Sequence, residues 1–346
     1  MKISIAMASY NGERFLQEQL ESFARQTLQP YELVVTDDGS TDRTPELIAD
    51  FARRVSFPVR FYRNQQRLGH VSNFLQAASL CTGDLIAFSD QDDVWLSHKL
   101  SRCAECFKDE EVLVAIHSGK VVDENLNPTG WLFPEIDRDA VVPPLTPAPG
   151  RSFSGFAMVF RPSLPLVFDS RKPWTGETLG EPVIYDHDQW LYFLSNIFGR
   201  TALIREALVL YRRHSATVTS PARLSSAKQS RIALNTGADT YMEKAQLAAR
   251  RADYLEQSAG FLPDEQRQRA RKGAQHYRHA AQTFELRSRL YRNESSWTTR
   301  IGALVRLLSQ GNYGSRSTAE LSLRSLLKDI GIGVLRLHRL SGSKAV

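Results

Sequence analysis

Three carboxylates lie within four residues, Asp90, Asp92 and Asp93, directly after the short apolar run 85–88. A Mg²⁺ or Mn²⁺ ion takes one or two protein carboxylates and completes its coordination with phosphate and water. Carboxylates spaced in this way at the end of a buried strand indicate a site for a hard cation and a phosphate-containing ligand. The alternative is a solvated acidic turn before the next helix, and this stretch alone leaves both interpretations open.

Two further polar clusters follow strand-like runs earlier in the chain. The Ser-Tyr-Asn segment 9–11 follows the run 2–8, and Asp37 and Asp38 follow the run 32–36. Open parallel sheets bind ligands at the carboxyl ends of their strands. We therefore expect the three clusters to converge on one crevice, a repetition that an isolated acidic turn does not explain.

The elements between these clusters alternate between strand and helix. Apolar residues at near-helical spacing predict helices around 15–23, 47–51 and 74–80, and 59–62 is typical of a further strand. Alternation at these lengths predicts a parallel sheet with right-handed crossovers. Neither G-x-G-x-x-G after the first strand nor G-x-x-x-x-G-K-[ST] occurs, which disfavours a dinucleotide dehydrogenase and a P-loop enzyme.

In this order and at these separations, the motifs resemble the N-terminal half of family 2 inverting glycosyltransferases. The segment 89–95, Ser-Asp-Gln-Asp-Asp-Val-Trp, is similar to the S-D-Q-D-D-x-W segment of the bacterial rhamnosyltransferase-like branch. The resemblance implies an α/β fold of GT-A type (Rossmann-like), with a mainly parallel sheet flanked by helices. It also implies a catalytic domain over 1–224, with a nucleotide-sugar half of about 1–100 and an acceptor half of about 101–224.

The same resemblance assigns roles to the polar clusters. Asp38 would contact the nucleobase, Asp90 the ribose, and Asp92 a divalent metal, Mn²⁺ or Mg²⁺, on the diphosphate. The other expected contacts to the nucleotide sugar are Ser9, Tyr10, Asn11 and Arg67.

Three nearby residues keep other interpretations open. Arg67 belongs to the segment 67–74, which resembles the family's Gly-to-Asn-Phe segment, but it could also be an exposed loop arginine. Trp95 is as consistent with a packing residue as with a wall of the donor site. Asp93 receives no role from the resemblance.

A further carboxylate site precedes a predicted helix. The segment 187–190 is similar to the H-D-x-W pattern that opens the family's helix and whose Asp is the general base. In an inverting transfer, the acceptor hydroxyl attacks the anomeric carbon opposite the leaving diphosphate, and one carboxylate takes the hydroxyl proton. The resemblance gives this role to Asp188, with Asp186 as the reserve. Capping of the helix is the alternative for Asp186.

The segment 208–214 predicts a strand that ends in a basic turn. It is similar to the L-Y-R-x-H end of the same branch, in which the His serves as a metal ligand or a diphosphate contact. The resemblance implies this role for His214, and a structural histidine is the alternative. Arg212 and Arg213 could pair with diphosphate, because guanidinium matches phosphate oxygens bidentately.

Two segments separate the acidic motif from the proposed base. The stretch 125–150 contains so many prolines that we expect an irregular loop over the sheet, which could gate the acceptor site. The following residues 154–161 are typical of a strand, in which Gly155 would allow a ligand or backbone to approach closely.

The C-terminal third has a different composition. From Ser225 onward there are 21 Lys and Arg against 10 Asp and Glu, whereas the whole chain has 44 against 38. Amphipathic patterns predict a helix that closes at Gly260, followed by helices over about 264–292, 301–308 and 321–340.

We therefore expect a basic helical region over 225–346, with a capping box at Ser317 and Glu320 before the last helix. This region could lie on an anionic membrane surface or pack as a cap on the catalytic domain. Its charges alternate with apolar residues, so we expect no nucleic-acid partner.

Cysteine usage and the N-terminus bear on location. Cys81, Cys103 and Cys106 are too few for a disulfide framework, and Cys103-x-x-Cys106 lacks the second pair of a zinc site. Free thiols are typical of a reducing compartment. Met1 leads directly into a strand-like run, and no apolar run reaches the ~20 residues of a membrane span. We expect a cytoplasmic protein without a signal peptide, with possible peripheral attachment to the inner face of the membrane.

Together these features predict a metal-dependent inverting glycosyltransferase. It would move a sugar from a nucleoside diphosphate to a growing bacterial surface glycan, such as O-antigen, capsule or cell-wall polysaccharide. The resemblance favours dTDP-rhamnose as donor and admits a polyprenyl-diphosphate-linked acceptor. Two alternatives stay open. A sugar nucleotidyltransferase normally has a Gly-rich, Arg- or Lys-bearing loop where this chain has 9–12, and a non-catalytic glycan-binding module needs neither metal carboxylates nor a base.

Overall fold

A computed structural model describes residues 1–146, 153–169, 177–178, 181–182, 186–215, 217, 236–313 and 321–336. The chain divides into two compact units. The first comprises Met1–Pro144 and Ser152–Pro221, and the second comprises Leu145–Arg151 and Ala222–Val346. The proposed site residues all belong to the first unit.

A ten-stranded sheet forms the core of the first unit, and two further short strands pair with each other. The strands are β1 (Ile3–Ser9), β2 (Glu32–Asp37), β3 (Val59–Arg63), β4 (Leu85–Ser89), β5 (Val94–Trp95), β6 (Val112–Val122), β7 (Pro128–Leu132), β8 (Ala140–Val142), β9 (Met158–Phe160), β10 (Glu177–Thr178), β11 (Glu181–Pro182) and β12 (Arg200–Arg212). The sheet order is β3-β2-β1-β4-β9-β6-β12-β5, with β7 beside β6 and β8 beside β12.

The helices of this unit are α1 (Glu13–Ala24), α2 (Thr44–Ala52), α3 (His70–Ser79), α4 (Lys99–Cys106) and α5 (His187–Phe198). Strands β1 to β4 are mutually parallel, and α1, α2 and α3 form the crossovers between them. Strand β2 is buried along its whole length, because the crossover helices cover both faces of a parallel sheet. This half has the predicted order of elements.

The register of the parallel strands aligns their carboxyl ends. Ser9 of β1 pairs with Asp37 of β2, and Met7 of β1 pairs with Ser89 of β4. The polar residues that follow each strand therefore leave the sheet at one edge. The second half of the sheet is mixed, because β9 runs antiparallel to β4 and β6 while β12 runs parallel to β6.

Two expectations for the second half were wrong. The proline-rich stretch 125–150 is not an irregular loop throughout, since it contains β7 and β8. Pro128 stands at the first residue of β7, a position where a missing N–H is tolerated in a sheet. The segment 154–161 does not begin as a strand. Its first part is a 3₁₀ turn, Gly155–Ala157, and β9 follows it.

The second unit is helical. Its helices are α6 (Ala238–Ala259), α7 (Asp264–Tyr291), α8 (Trp297–Ser309) and α9 (Leu323–Lys328), and a π-helical turn, Asp329–Val334, follows α9. The predicted helix over 321–340 is thus shorter, and its last residues lie outside the described part of the chain. The predicted cap at Ser317 and Glu320 also lies outside it. The cap that the structure shows is a reciprocal pair between Ser322 and Ser325.

Helices α6 and α7 pack along each other through small residues, among them Ala248, Ala252 and Ala274, all buried. Among the residues that the structure describes, no helix is both long and apolar enough to span a bilayer.

Candidate functional site

A cavity of about 800 Å³ opens at the carboxyl ends of β1, β2 and β4. The structure brings to its wall the residues to which the resemblance assigned a nucleotide-sugar, metal or base role. These residues are Ser9, Tyr10, Asn11, Asp38, Arg67, Asp90, Asp92, Asp186, Asp188 and His214. Arg212 and Arg213, by contrast, do not line the cavity. Asp92 and His214 are 122 positions apart, and the sheet order brings them together because β12 and β4 end at the same edge of the sheet.

The turn after β1 is fixed by the acidic motif. The Gln91 side chain accepts from the Tyr10 amide and donates to the Tyr10 carbonyl, both at 3.0 Å. A Cβ at Gly12 would overlap the Gln91 amide as it stands, so a side chain there would displace Gln91 from Tyr10. Asn11 has φ 49° and accepts the Thr41 amide at 2.9 Å. The Ser9 hydroxyl is directed elsewhere and donates to Asp37 at 2.9 Å.

Asp38 fastens the loop between β3 and α3. Its carboxylate accepts the backbone amides of Leu68 at 2.7 Å and Gly69 at 2.8 Å, and the side-chain amide of Asn64 at 3.0 Å. Arg67 lies above this group, 4.0 Å from an Asp38 oxygen, and its guanidinium stacks 4.0 Å from the centre of the Tyr10 ring. Arg67 and Tyr10 therefore form one side of the cavity, next to the loop that Asp38 holds.

The three clustered carboxylates have different surroundings. Burial, together with the charges of Asp92 and Asp188, raises the pKa of Asp90 to about 7. Asp93 is fully buried, and burial raises its pKa well above the usual range. One Asp93 oxygen accepts the Arg212 amide at 2.9 Å, while the other has no hydrogen-bond partner among the described residues. Asp93 is therefore buried within the fold and does not line the cavity.

Asp92 faces His214 across the cavity floor. The His214 Nε2 lies 2.8 Å from an Asp92 carboxylate oxygen, and the Phe15 ring packs against the imidazole at 4.7 Å. Within the described ranges, no group of three or more His, Cys, Asp or Glu side chains comes together to hold a metal. A carboxylate and an imidazole fit a Mn²⁺ or Mg²⁺ ion that draws its other ligands from diphosphate and water.

Two residues with open interpretations are structural. Trp95 is buried, lies edge-on to Phe23 at 4.7 Å and carries the Lys99 ammonium 3.6 Å above its ring, so it packs and does not line the cavity. Arg212 is also buried, and its guanidinium donates to the Asp92 carbonyl and to Glu18. The suggestion that Arg212 pairs with diphosphate is therefore wrong, because its donors are engaged within the fold.

The base candidate lies in the first turn of α5. Burial and the charge of Asp186 raise the pKa of Asp188 to about 7, against the backbone amides of Gln189 and Gly155 that bond to it. Asp186 is the N-cap of α5 by position, but its side chain accepts no capping hydrogen bond. Its oxygen instead lies 2.7 Å from Nε2 of His70. The hydrogen bond from His70 holds the pKa of Asp186 below its usual range, so Asp186 is ionised at neutral pH. Its negative charge helps to raise the pKa of Asp188, and that raised pKa suits a base that works at neutral pH.

His70 and Gln91 are cavity residues that the sequence analysis did not assign. Gln91 stood inside the acidic motif and could have been found, since an amide between two carboxylates can serve as both donor and acceptor. His70 follows Gly69 at the start of a helix, where its neighbours give no sign of chemistry. Its partner Asp186 is 116 residues away, so only the folded chain shows the pair.

Comparison with known proteins gives a consistent result for the first unit. Residues 4–163 match the profile described as glycosyl transferase family 2. An uncharacterized glycosyltransferase of Nostoc is 28% identical over 228 residues, which cover 62% of this chain and 66% of that protein. A dTDP-rhamnosyl transferase of Shigella flexneri, RfbG, is 33% identical over 106 residues, or 29% of this chain and 36% of that protein. The match thus spans less than two thirds of either relative.

A solved structure shares the fold. TarS 1–349 of S. aureus, in complex with UDP-GlcNAc, superposes with a TM-score of 0.54 at 16% identity, covering 100% of this chain and 93% of that one. This likeness supports the architecture alone. The predicted GT-A fold, with its mostly parallel sheet flanked by helices and its helical C-terminal region, is confirmed.

Proposed function

We propose that the protein is a metal-dependent inverting glycosyltransferase acting on a nucleoside-diphosphate sugar, which the match of residues 4–163 to the glycosyl transferase family 2 profile supports. The observation that carries the proposal is the pairing of two sites in one cavity. The Asp92–His214 pair suits a cation and diphosphate, and Asp188 has a pKa near 7 at the same cavity.

The proposed reaction is a single displacement at the anomeric carbon. Asp188 accepts the proton of the acceptor hydroxyl as that oxygen attacks, because a carboxylate whose pKa lies near the working pH is both ionised and basic enough. The leaving diphosphate departs on the opposite side, toward Asp92 and His214. These two residues would hold the divalent cation, which supplies charge stabilisation to the leaving group when bound. A second carboxyl group that protonates the leaving group is not needed, because the cation would stabilise the charge of the leaving diphosphate.

The other half of the cavity would hold the nucleoside. Asp38, which anchors the loop carrying Arg67, is proposed to meet the base, and Asp90 the ribose. Tyr10 and Arg67 supply an aromatic ring and a guanidinium on the same side. Ser9 and Asn11 shape this turn, through hydrogen bonds to Asp37 and from Thr41.

Donor and acceptor are proposed from chemistry and similarity. The likeness to a dTDP-rhamnosyl transferase supports dTDP-rhamnose as one donor to test. The acceptor would be a growing bacterial surface glycan, carried on a polyprenyl diphosphate. Such an acceptor lies at the inner face of the cytoplasmic membrane, which would place this enzyme in the cytoplasm at that surface.

The second unit offers a surface for that contact. On α8 the exposed apolar residues are Trp297, Val305 and Leu308, and on α9 they are Leu323 and Leu327. Neither helix contains Asp or Glu, and their basic residues are Arg300, Arg306, Arg324 and Lys328. Arg300 donates to the Ser295 and Val334 carbonyls and Lys328 to the Thr236 carbonyl and the Tyr241 hydroxyl, whereas Arg306 and Arg324 are exposed. We define the exposed apolar residues together with Arg306 and Arg324 as the α8–α9 surface. Apolar side chains beside cations favour an anionic bilayer as the partner.

Vesicle flotation tests the α8–α9 surface. A Trp297→Ser, Leu323→Ser double variant should float less with phosphatidylglycerol vesicles than the parent protein does, and neither should float with neutral phosphatidylcholine. Phe261→Ser is the matched control, because Phe261 is 73% exposed but lies between α6 and α7. Equal flotation of all three proteins would favour the alternative of a packed helical cap.

A donor panel tests the proposed activity. The protein is incubated with UDP-, GDP- and dTDP-sugars and Mn²⁺, with and without EDTA, and free nucleoside diphosphate is measured. We expect release from at least one donor, dependent on the metal. Release of pyrophosphate from a nucleoside triphosphate plus sugar phosphate would instead identify a nucleotidyltransferase. Binding of glycan with no turnover of any nucleotide sugar would identify a binding module.

A further inference from the structure

One face of α3 holds the segment that carries the proposed base. His70 and Phe74 lie one turn apart on this helix, and positions four residues apart share a helix face. His70 Nε2 lies 2.7 Å from Asp186, and the Phe74 ring stacks on the His187 ring with centroids 4.2 Å apart and planes 18° apart. Both residues immediately before Asp188 are thus fixed by α3.

The same segment is confined from its other side. A Cβ at Gly155 would collide with the His187 imidazole, so the 3₁₀ turn can approach His187 only because residue 155 is glycine. The Gly155 amide also bonds to Asp188. Three successive residues, 186 to 188, therefore each have a defined contact with α3 or with this turn.

His70 is also joined to the nucleoside end of the cavity. The two residues directly before it, Leu68 and Gly69, donate their amides to Asp38. Asp38 thereby fixes the start of α3 while His70 fixes Asp186. These contacts connect Asp38, proposed to bind the nucleobase, with Asp186, which lies beside the proposed general base Asp188. None of the residues in between belongs to the Asp92–His214 pair.

His70 also contributes charge. The hydrogen bond to Asp186 raises the pKa of His70, helped by the charges of Asp186, Asp90 and Asp188, although burial opposes the rise. Among the described residues, these three carboxylates are the charged groups that act most strongly on the imidazole. Asp186 raises the pKa of Asp188 and His70 lowers it, so the two partners of one hydrogen bond act on Asp188 in opposite directions.

We propose that His70 is a positioning residue for the transfer reaction, which orients the Asp186–Asp188 segment through its hydrogen bond to Asp186 and offsets the Asp186 charge next to the base. The inference rests on the proposed function, in which Asp188 is the base. His70 does not take the acceptor proton itself.

Two single variants, His70→Gln and Asp186→Asn, separate this role from a purely structural one. Both remove the same ionic hydrogen bond. The acidic limb of the kcat/KM profile should shift upward in His70→Gln, because the cation that favours ionised Asp188 is gone. It should shift downward in Asp186→Asn, because the anion that disfavours it is gone. Each shift should be about 0.5 to 1 pH unit, as expected for one screened charge near the site.

His98→Gln is the matched control. His98 forms a similar half-exposed pair with Glu206 at 2.9 Å, and it does not line the cavity. Its profile should coincide with that of the parent protein.

Each contrary outcome identifies a different failure. Limbs that stay in place in both variants, or move in the same direction, would overturn the role of His70. An Asp186→Asn variant that is inactive at every pH, with Asp188→Asn active, would show that Asp186 is the base. Absence of turnover in the parent protein would overturn the proposed function itself.

Discussion

The two units of the protein bury carboxylates in opposite ways. In the second unit, Asp329 is fully buried and accepts two hydrogen bonds from Arg287, at 2.8 and 2.9 Å, and one each from Tyr291 and Tyr313, at 2.6 and 2.7 Å. In the first unit, Asp188 is half-buried, its hydrogen bonds from the described residues come from the backbone amides of Gln189 and Gly155, and desolvation raises its pKa to about 7. Asp329 therefore has a full set of hydrogen-bond partners, whereas Asp188 has few.

This difference indicates which buried charges serve the fold and which serve chemistry. A buried ion with complete partners has repaid the cost of desolvation through local bonds, and its loss acts on stability. A carboxylate that is desolvated and has few hydrogen-bond partners destabilises the folded state when it is ionised. Such groups concentrate at functional sites. The comparison therefore predicts opposite results for substitutions in the two units.

The largest expected effect is on activity. Asp188→Asn should lower the transfer rate by about 10² to 10⁴-fold, the usual contribution of a general base, while leaving the free energy of unfolding nearly unchanged or slightly raised. Donor turnover and urea denaturation of the same preparation would measure both quantities. Full transfer by Asp188→Asn would remove the central contrast between the two carboxylates.

The reverse result is expected in the second unit. Arg287→Met should lower the free energy of unfolding of that unit by about 3 to 5 kcal/mol, because it leaves Asp329 buried without its cation. Arg289→Met is the matched control, since Arg289 forms a half-exposed pair with Glu285 and should matter by less than about 1 kcal/mol. Denaturation curves that coincide for the two variants would contradict the structural role of the buried pair.

The smallest effect is a pH dependence of stability. The folded pKa of Asp188 lies near 7 and its usual value is 3.8, so the folded state binds this proton more tightly than the unfolded state does. The contribution of Asp188 to stability should therefore rise as the pH falls from 8 toward 4, by on the order of 1 kcal/mol after solvent screening, and it is measured as the difference between the parent protein and Asp188→Asn at each pH. A first unit that loses stability from pH 8 to 6 in a manner dependent on Asp188 would contradict this sign.

The part of the sheet formed by β1 to β4 was predictable because its signals are local. Each of β1, β2 and β4 is an apolar run that ends in polar residues, and the parallel order follows from the intervening helices. The resemblance to family 2 glycosyltransferases is confirmed. The proline-rich stretch was misjudged because edge strands such as β7 accept proline, which a local pattern does not reveal.

The remaining site features depend on contacts between distant residues. Arginine is a residue type that often binds phosphate, but the Arg212 guanidinium donates to groups of the fold such as Glu18, which is 194 residues away. Asp93 is separated from the Arg212 amide by 119 residues, so its buried position could not be read from its motif. The sequence places residues on elements, and only the packing of those elements decides which donors stay available.

Binding of a cation together with a diphosphate in the cavity tests the proposed metal-assisted transfer. Mn²⁺ is titrated into the protein with and without UDP, GDP or dTDP, and free Mn²⁺ is followed by electron paramagnetic resonance. Two protein ligands should bind Mn²⁺ weakly alone and at least tenfold more tightly with one of the nucleotides, because the diphosphate completes the coordination. Asp92→Ala should abolish this gain. Equal Mn²⁺ affinity with and without every nucleotide would contradict the proposed metal-assisted transfer.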